Sequence, residues 1–164
     1  MQKIITRVGH LVSYLCGLLV LIIVTQVIAR YAFGRGFVML EELEWHLYAV
    51  GFLIGLPYCA VNDLNIRIDL FYLRFSQRKK AWMEVFSILV IFLPFVIMMF
   101  MHSLNFVEHS WNLGERSEAP LGLPYRWLIK SVIPFAFLLL GLAGVCRFIT
   151  AIQSLRQEAR NGRK

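Results

Sequence analysis

Charge and cysteine are both scarce in this chain. Only 16% of its 164 residues are charged, against about a quarter in soluble proteins. Four runs carry no formal charge: Val8–Ala29, Trp45–Asn62, Val85–Val107 and Ser131–Cys146. The three cysteines, Cys16, Cys59 and Cys146, all lie in or at the end of these runs without a Cys-x-x-Cys pair. They read as small buried apolar residues and not as a disulfide framework or a redox motif, which argues against a thiol-oxidising membrane enzyme. No glycine-rich phosphate loop and no metal-ligand spacing occur, so no cofactor and no enzymatic activity are expected. None of the four runs holds a carboxylate, which a proton-coupled carrier needs near the bilayer centre.

What is present is apolar. Hydrophobic residues make up 59% of the chain and the mean hydropathy is +0.65. Crossing the hydrocarbon core takes about 20 helical residues. The last run reaches that length from Trp127 to Thr150 if Lys130 and Arg147 snorkel to opposite interfaces. The sequence therefore predicts an all-α integral membrane protein, one domain over 1–164, with four transmembrane helices near 8–33, 43–62, 81–108 and 127–150. Strands of a membrane barrel alternate over about ten residues, and these runs do not. The first run is too long for a cleaved signal peptide, and "RYAFGRGF" follows it in place of a small-x-small site.

Basic residues divide unevenly. Lys3 and Arg7 precede the first run, five more lie between Asn62 and Lys80, and Arg156, Arg160, Arg163 and Lys164 follow the last. With four spans these regions share one side. The opposite side holds Arg35, Arg116, Arg126 and Lys130 with six of the ten acids: Glu41, Glu42, Glu44, Glu108, Glu115 and Glu118. The positive-inside rule then places both termini in the cytoplasm.

The segment "NDLNIRIDLFYLRFSQRKK" (62–80) becomes a cytoplasmic loop. Its basic residues meet anionic headgroups. Leu64, Ile66, Ile68 and Leu70 alternate with Asn65, Arg67 and Asp69, an extended pattern. Asp69 is placed to cap a short interfacial helix, "LFYLRF", and Ser76 to cap the third span. Arg67 and Asp69 are expected to fix this turn or to touch a partner. Pro57, Pro94 and Pro134 interrupt three spans and shape the bundle.

On the other side, "WNLGERSEAPLGLPYRWLIK" (111–130) is held by Pro120 and Pro124. Trp111 and Trp127 suit the headgroup level, with Arg126 and Lys130 holding the fourth helix at depth. Glu41 and Glu42 open the second helix, where its dipole favours acids. Arg35, Glu115, Arg116 and Glu118 form a candidate docking surface. The plainer reading is that Glu115 and Arg116 pair locally or face water. His46 and His102 lie toward the outer ends of their spans. They are either ligands for a haem in an electron-transfer subunit or ordinary helix-helix hydrogen bonders. An autonomous four-span transporter is the other alternative.

The loops also carry a resemblance. "ARYAFGRGFVMLEELEWHLYAVGFLIGLPYCAVNDLNIRIDLFY" resembles the small membrane subunit of tripartite ATP-independent periplasmic (TRAP) transporters, the DctQ-like family. That family shows Arg-Tyr before a short glycine-containing loop, Glu-Glu-Leu at the second helix, and then a His-(Ile/Val)-Arg-(Ile/Val)-Asp element. "SWNLGERSEAPLGLPYRWLIKSVIP" is similar to one branch of it. Asn65 stands where the family usually has His. The resemblance covers nearly the whole chain. It implies a small permease subunit of a sodium-coupled importer of organic acids in a bacterial or archaeal inner membrane. Such a subunit braces a large permease subunit and helps dock a periplasmic substrate-binding protein.

Overall fold

The computed structural model describes residues 2–34, 36–62, 75–120 and 122–161. These are helical, with no strand among them. Helix α1 is Gln2–Phe33 and α2 is Val38–Val61. Helix α3 (Gln77–Ser87) runs through a π-helical turn, Ile88–Phe92, into α4 (Leu93–Asn112). Helix α5 is Arg126–Asn161. The stretch expected as an interfacial helix lies mostly outside the described residues, as do Arg35, Asn65, Arg67 and Asp69.

Local chemistry sets several boundaries. Ser76 caps α3, its Oγ accepting from the Lys79 N–H at 3.5 Å. Pro94 lacks the N–H that an α-helix needs there, and its ring crowds the carbonyl four residues back. The chain widens just before it: Leu93 N–H reaches the Ile88 carbonyl, five residues back, instead of the fourth. Helix α4 ends in a Schellman motif. Gly114, at φ 56°, donates to Trp111, and Glu115 N–H donates to Ser110 at 3.1 Å. The left-handed conformation at this position suits a residue without a Cβ.

The helices form a row, not a closed bundle. Helix α1 packs on α2, α2 on α5, and α5 on both α3 and α4. α1 makes only slight contact with α5, and α2 does not pack on α4. An open row has much surface. The 12266 Å² exposed compares with roughly 8,400 Å² for a compact soluble chain of this mass. The core lies where α1, α2 and α5 meet, around Ile5, Val12, Ile54, Ala136, Leu139 and Ala143. Small residues let α5 approach closely. Ala143 is wholly buried, Val96 lies 3.4 Å from where a Cβ on Gly141 would stand, and Phe92 covers Gly144.

Among the described residues, three helices are long and apolar enough to cross a membrane: Ile5–Phe33, Arg78–Asn112 and Arg126–Arg156. α2 is not among them; Glu41, Glu42, Glu44 and His46 all fall in its first half. Large apolar side chains stay exposed on them, including Leu11, Leu21, Phe86, Ile91 and Leu138. One expectation for the cysteines is corrected. Cys59 and Cys146 are half-buried, but Cys16 is exposed, because a helix at the edge of a row turns much of its surface outward.

Candidate functional site: polar clasps at the two ends of the row

The apolar middle of the row is fastened at both ends by polar side chains that cross between helices. One end carries the chain termini; the far end carries the 34–37 connection and the 113–125 loop.

At the far end, three ties follow one another across the row. The first joins α1 to α2. Arg30 pairs with Glu41. Gln26, only 4% exposed, donates its amide to the Phe37 carbonyl at 3.2 Å and to Glu41 Oε1 at 3.3 Å. Arg30 and Glu41 are both well exposed, so their pairing contributes less than about 1 kcal/mol. The buried Gln26 fixes the geometry.

The second tie joins α2 to the loop. The Glu42 carboxylate accepts from the Ser117 hydroxyl and from the Leu123 N–H. Ser117 Oγ also accepts from the Ala119 N–H at 3.2 Å, and Ser117 N–H reaches the Leu123 carbonyl at 3.4 Å. One carboxylate thus gathers both arms of a small closed loop. The Ser117 hydroxyl, then the Leu123 N–H, then the charges of Arg126 and His46 hold the Glu42 carboxyl below its ordinary range.

The third tie joins the loop to α5 and α4. Glu115 pairs with Lys130 and lies 3.8 Å from the Arg126 guanidinium. Lys130, first, and Arg126 lower the Glu115 carboxyl. Ser110, fully buried, lies close enough to favour the charged carboxylate, although its hydroxyl makes no hydrogen bond of normal geometry. The Lys130 ammonium also sits 4.0 Å from the centre of the Phe106 ring, a cation–π contact. Trp111 and Trp127 meet edge to face at 4.5 Å. With Tyr125, Pro124 and Arg116 they line a cup of about 280 Å³. Tyr125 holds φ at 65°, a strained conformation for a bulky residue.

At the termini end, one arginine joins three helices. Arg147 of α5 donates Nε and Nη2 to Glu84 Oε1 of α3 at 2.9 and 2.7 Å, and Nη1 to the Ala60 carbonyl of α2 at 3.1 Å. The guanidinium fork suits this double duty.

The histidines do not converge. His46 and His102 each turn Nδ1–H back to a carbonyl of the same helix, Glu42 and Met98. Helix α5 stands between the two helices that carry them.

Residues 19–154 match the family described as tripartite ATP-independent periplasmic transporters, DctQ component. The chain belongs to the DctQ family. It is therefore a component of a TRAP transporter, in a family of transport subunits and not of enzymes, and its apolar helices are those of a membrane protein. No curated protein matches the chain in sequence.

Within this DctQ component, the structure distributes the expected site residues unequally. It draws Glu41, Glu42, Glu115, Arg126 and Lys130 into ties between elements, and it brings Trp111 against Trp127. Arg116 and Glu118 stay exposed at the loop tip, with no ion pair among the described residues. Sequence reasoning missed Gln26, Arg30, Ser117, Gly122 and the Arg147–Glu84 pair. Two signals were available: a polar residue inside an apolar run, as at Gln26, and the Arg-Tyr element that holds Arg30. The others depend on which helices become neighbours.

Proposed function

We propose that this chain is the small permease subunit of a sodium-coupled TRAP importer of organic acids. It lies in the inner membrane of a bacterium or archaeon and crosses it four times, with both termini in the cytoplasm. It serves as a brace for the large permease subunit and as part of the surface that receives the periplasmic binding protein. The observation that carries this reading is the row itself. Four helical rods in one layer, clasped at both ends, make a stiff plate with two broad apolar faces, suited to lie beside a larger membrane body. α2 counts as the fourth span because its 24 residues extend about 36 Å, enough for a hydrocarbon core of about 30 Å. Arg67, Asp69 and Asn65 belong to this proposal as the cytoplasmic contact, and Arg35 as part of the outer surface.

The test is assembly and orientation. Co-expressed with its large subunit, the chain should co-purify with it. A reporter active only in the periplasm should be active when inserted beside Arg116 and silent when fused after Lys164. Failure to co-purify removes the bracing role, and reversed reporters remove the topology.

Docking has its own expected outcome. Glu115 is occupied by Lys130 and Arg126, so the charges free to steer a soluble partner are Arg116 and Glu118, beside the aromatic cup. Exposed docking charges act mainly on association rate and are screened by salt. The double reversal Arg116→Glu with Glu118→Arg should leave assembly intact and slow binding-protein-dependent uptake, most at low ionic strength. Unchanged uptake at every salt concentration excludes the tip from docking.

A further inference from the structure

We propose that the cleft between the start of α1 and the end of α2 binds the headgroup of an anionic phospholipid. The cleft measures about 410 Å³ and is lined by Lys3, Thr6, Arg7, Val61 and Asn62. At about 30 Å³ per water it has room for roughly a dozen waters, the scale of a glycerophosphate headgroup. The proposal rests on the chain being a membrane protein, but not on which side its termini face.

Three observations converge on this ligand. Lys3 and Arg7 stand four residues apart on α1, hence one above the other on the same side. Both are exposed, and neither pairs with an acid among the described residues. Like charges at this spacing repel, and a bound anion reverses the sign of that interaction. Their chemistry fits a phosphodiester: a planar guanidinium fork beside a mobile ammonium.

The second observation is depth. Arg7 is immediately followed by the charge-free run Val8–Ala29, and Val61 and Asn62 close the charge-free run of α2. Both walls of the cleft change from apolar to polar at the same level, the level at which a phosphate meets acyl chains. The third is what lies beneath. Leu11 and Tyr14, four and seven residues after Arg7, are 68% and 81% exposed. They continue the same side of α1 and offer an apolar track for an acyl chain. A free phosphate ion has no use for that track, which favours the lipid as the source of the anion.

The experiment uses the full chain in neutral detergent, so membrane sidedness does not enter. Phosphatidylglycerol or phosphatidylcholine is titrated in, and bound lipid is counted by native mass spectrometry. The chain should retain phosphatidylglycerol in preference to phosphatidylcholine. Lys3→Gln with Arg7→Gln should weaken phosphatidylglycerol binding by about tenfold or more. An equal charge loss elsewhere, Arg78→Gln with Lys79→Gln, should change it less than about threefold. In the unsubstituted chain, phosphatidylglycerol should protect Lys3 from amine acylation more than it protects Lys79, a readout independent of any variant's folding. Equal retention of the two lipids, or undiminished binding by the Lys3/Arg7 variant, overturns the proposal. Displacement of the lipid by inorganic phosphate would make the cleft a site for free anions and overturn it as well.

Discussion

Replacing Arg147 by Met should lower the melting temperature of the chain in detergent by on the order of 10 °C. Arg147 joins three helices by hydrogen bonds: its own α5, α3 through Glu84, and α2 through the Ala60 carbonyl. Both members of the ion pair are largely withdrawn from solvent, at 21% and 28% exposure. Removing Arg147 leaves the Glu84 carboxylate desolvated and without this partner, which costs roughly 3 kcal/mol. The Ala60 carbonyl, in the last turn of α2, loses a donor at the same time. The double replacement Arg147→Met with Glu84→Met should recover part of the loss, because the Glu84 charge is no longer left without its arginine. Arg147→Lys should fall between, since an ammonium cannot serve the carboxylate twice and a carbonyl once. The measurement is a double-mutant cycle on thermal unfolding, read by circular dichroism. A single-variant loss below about 1 kcal/mol would mean that water already serves this pair as it does at a surface.

This clasp also marks where sequence reasoning stops. Arg147 could be placed at a helix end from its position after an apolar run, and Glu84 likewise. Their meeting across 63 residues depends on α5 standing beside α3. Nothing in the runs states that neighbour order, because a helix that faces lipid and one that faces protein carry similar apolar residues. The row was illegible for the same reason. Glu41 and Glu42 show the limit at finer scale. Both were readable as acids at the start of a helix, where the dipole favours them. Consecutive residues point about 100° apart on a helix, so Glu41 turns to α1 and Glu42 to the loop. Which does which follows only from the packing. The all-helical class, the apolar helices and the capping by Ser76 were legible, because each rests on local composition. Trp111 and Trp127 could be placed at the two ends of one loop. Their edge-to-face contact needed the Schellman turn at Gly114 and the strained Tyr125 to bring those ends together. The widened turn before Pro94 went unread, since a proline in a span predicts only some accommodation and not its form.

The far-end latch should open when Gly122 is given a single methyl group. Gly122 sits inside the loop that Glu42 gathers, its own N–H donating to the Ala119 carbonyl at 3.0 Å. A Cβ there would fall on the Ser117 side chain and 2.8 Å from Glu42 Oε1. Ser117 and Glu42 are hydrogen-bonded to each other, so neither can retreat without giving up that bond. Gly122→Ala should therefore release the loop from α2 while the helices remain. Helical circular dichroism should be unchanged. Hydrogen exchange at the Leu123 amide, which donates to Glu42, should accelerate about tenfold. Acid supplies an independent way to open the same latch. The Glu42 carboxyl is lowered from 4.5 in the folded chain, so the folded state binds fewer protons there than the unfolded one. The carboxylate's contribution is then fully present above 4.5 and is lost as pH falls through the lowered value. Protection at Leu123, corrected for intrinsic exchange, should hold through the neutral range and fail only on the acid side. Gly122→Ala should show at neutral pH the exchange that the unsubstituted chain shows in acid. If the variant keeps full protection at Leu123, Ser117 and Glu42 have moved together without parting, and Gly122 is not what permits the latch to close.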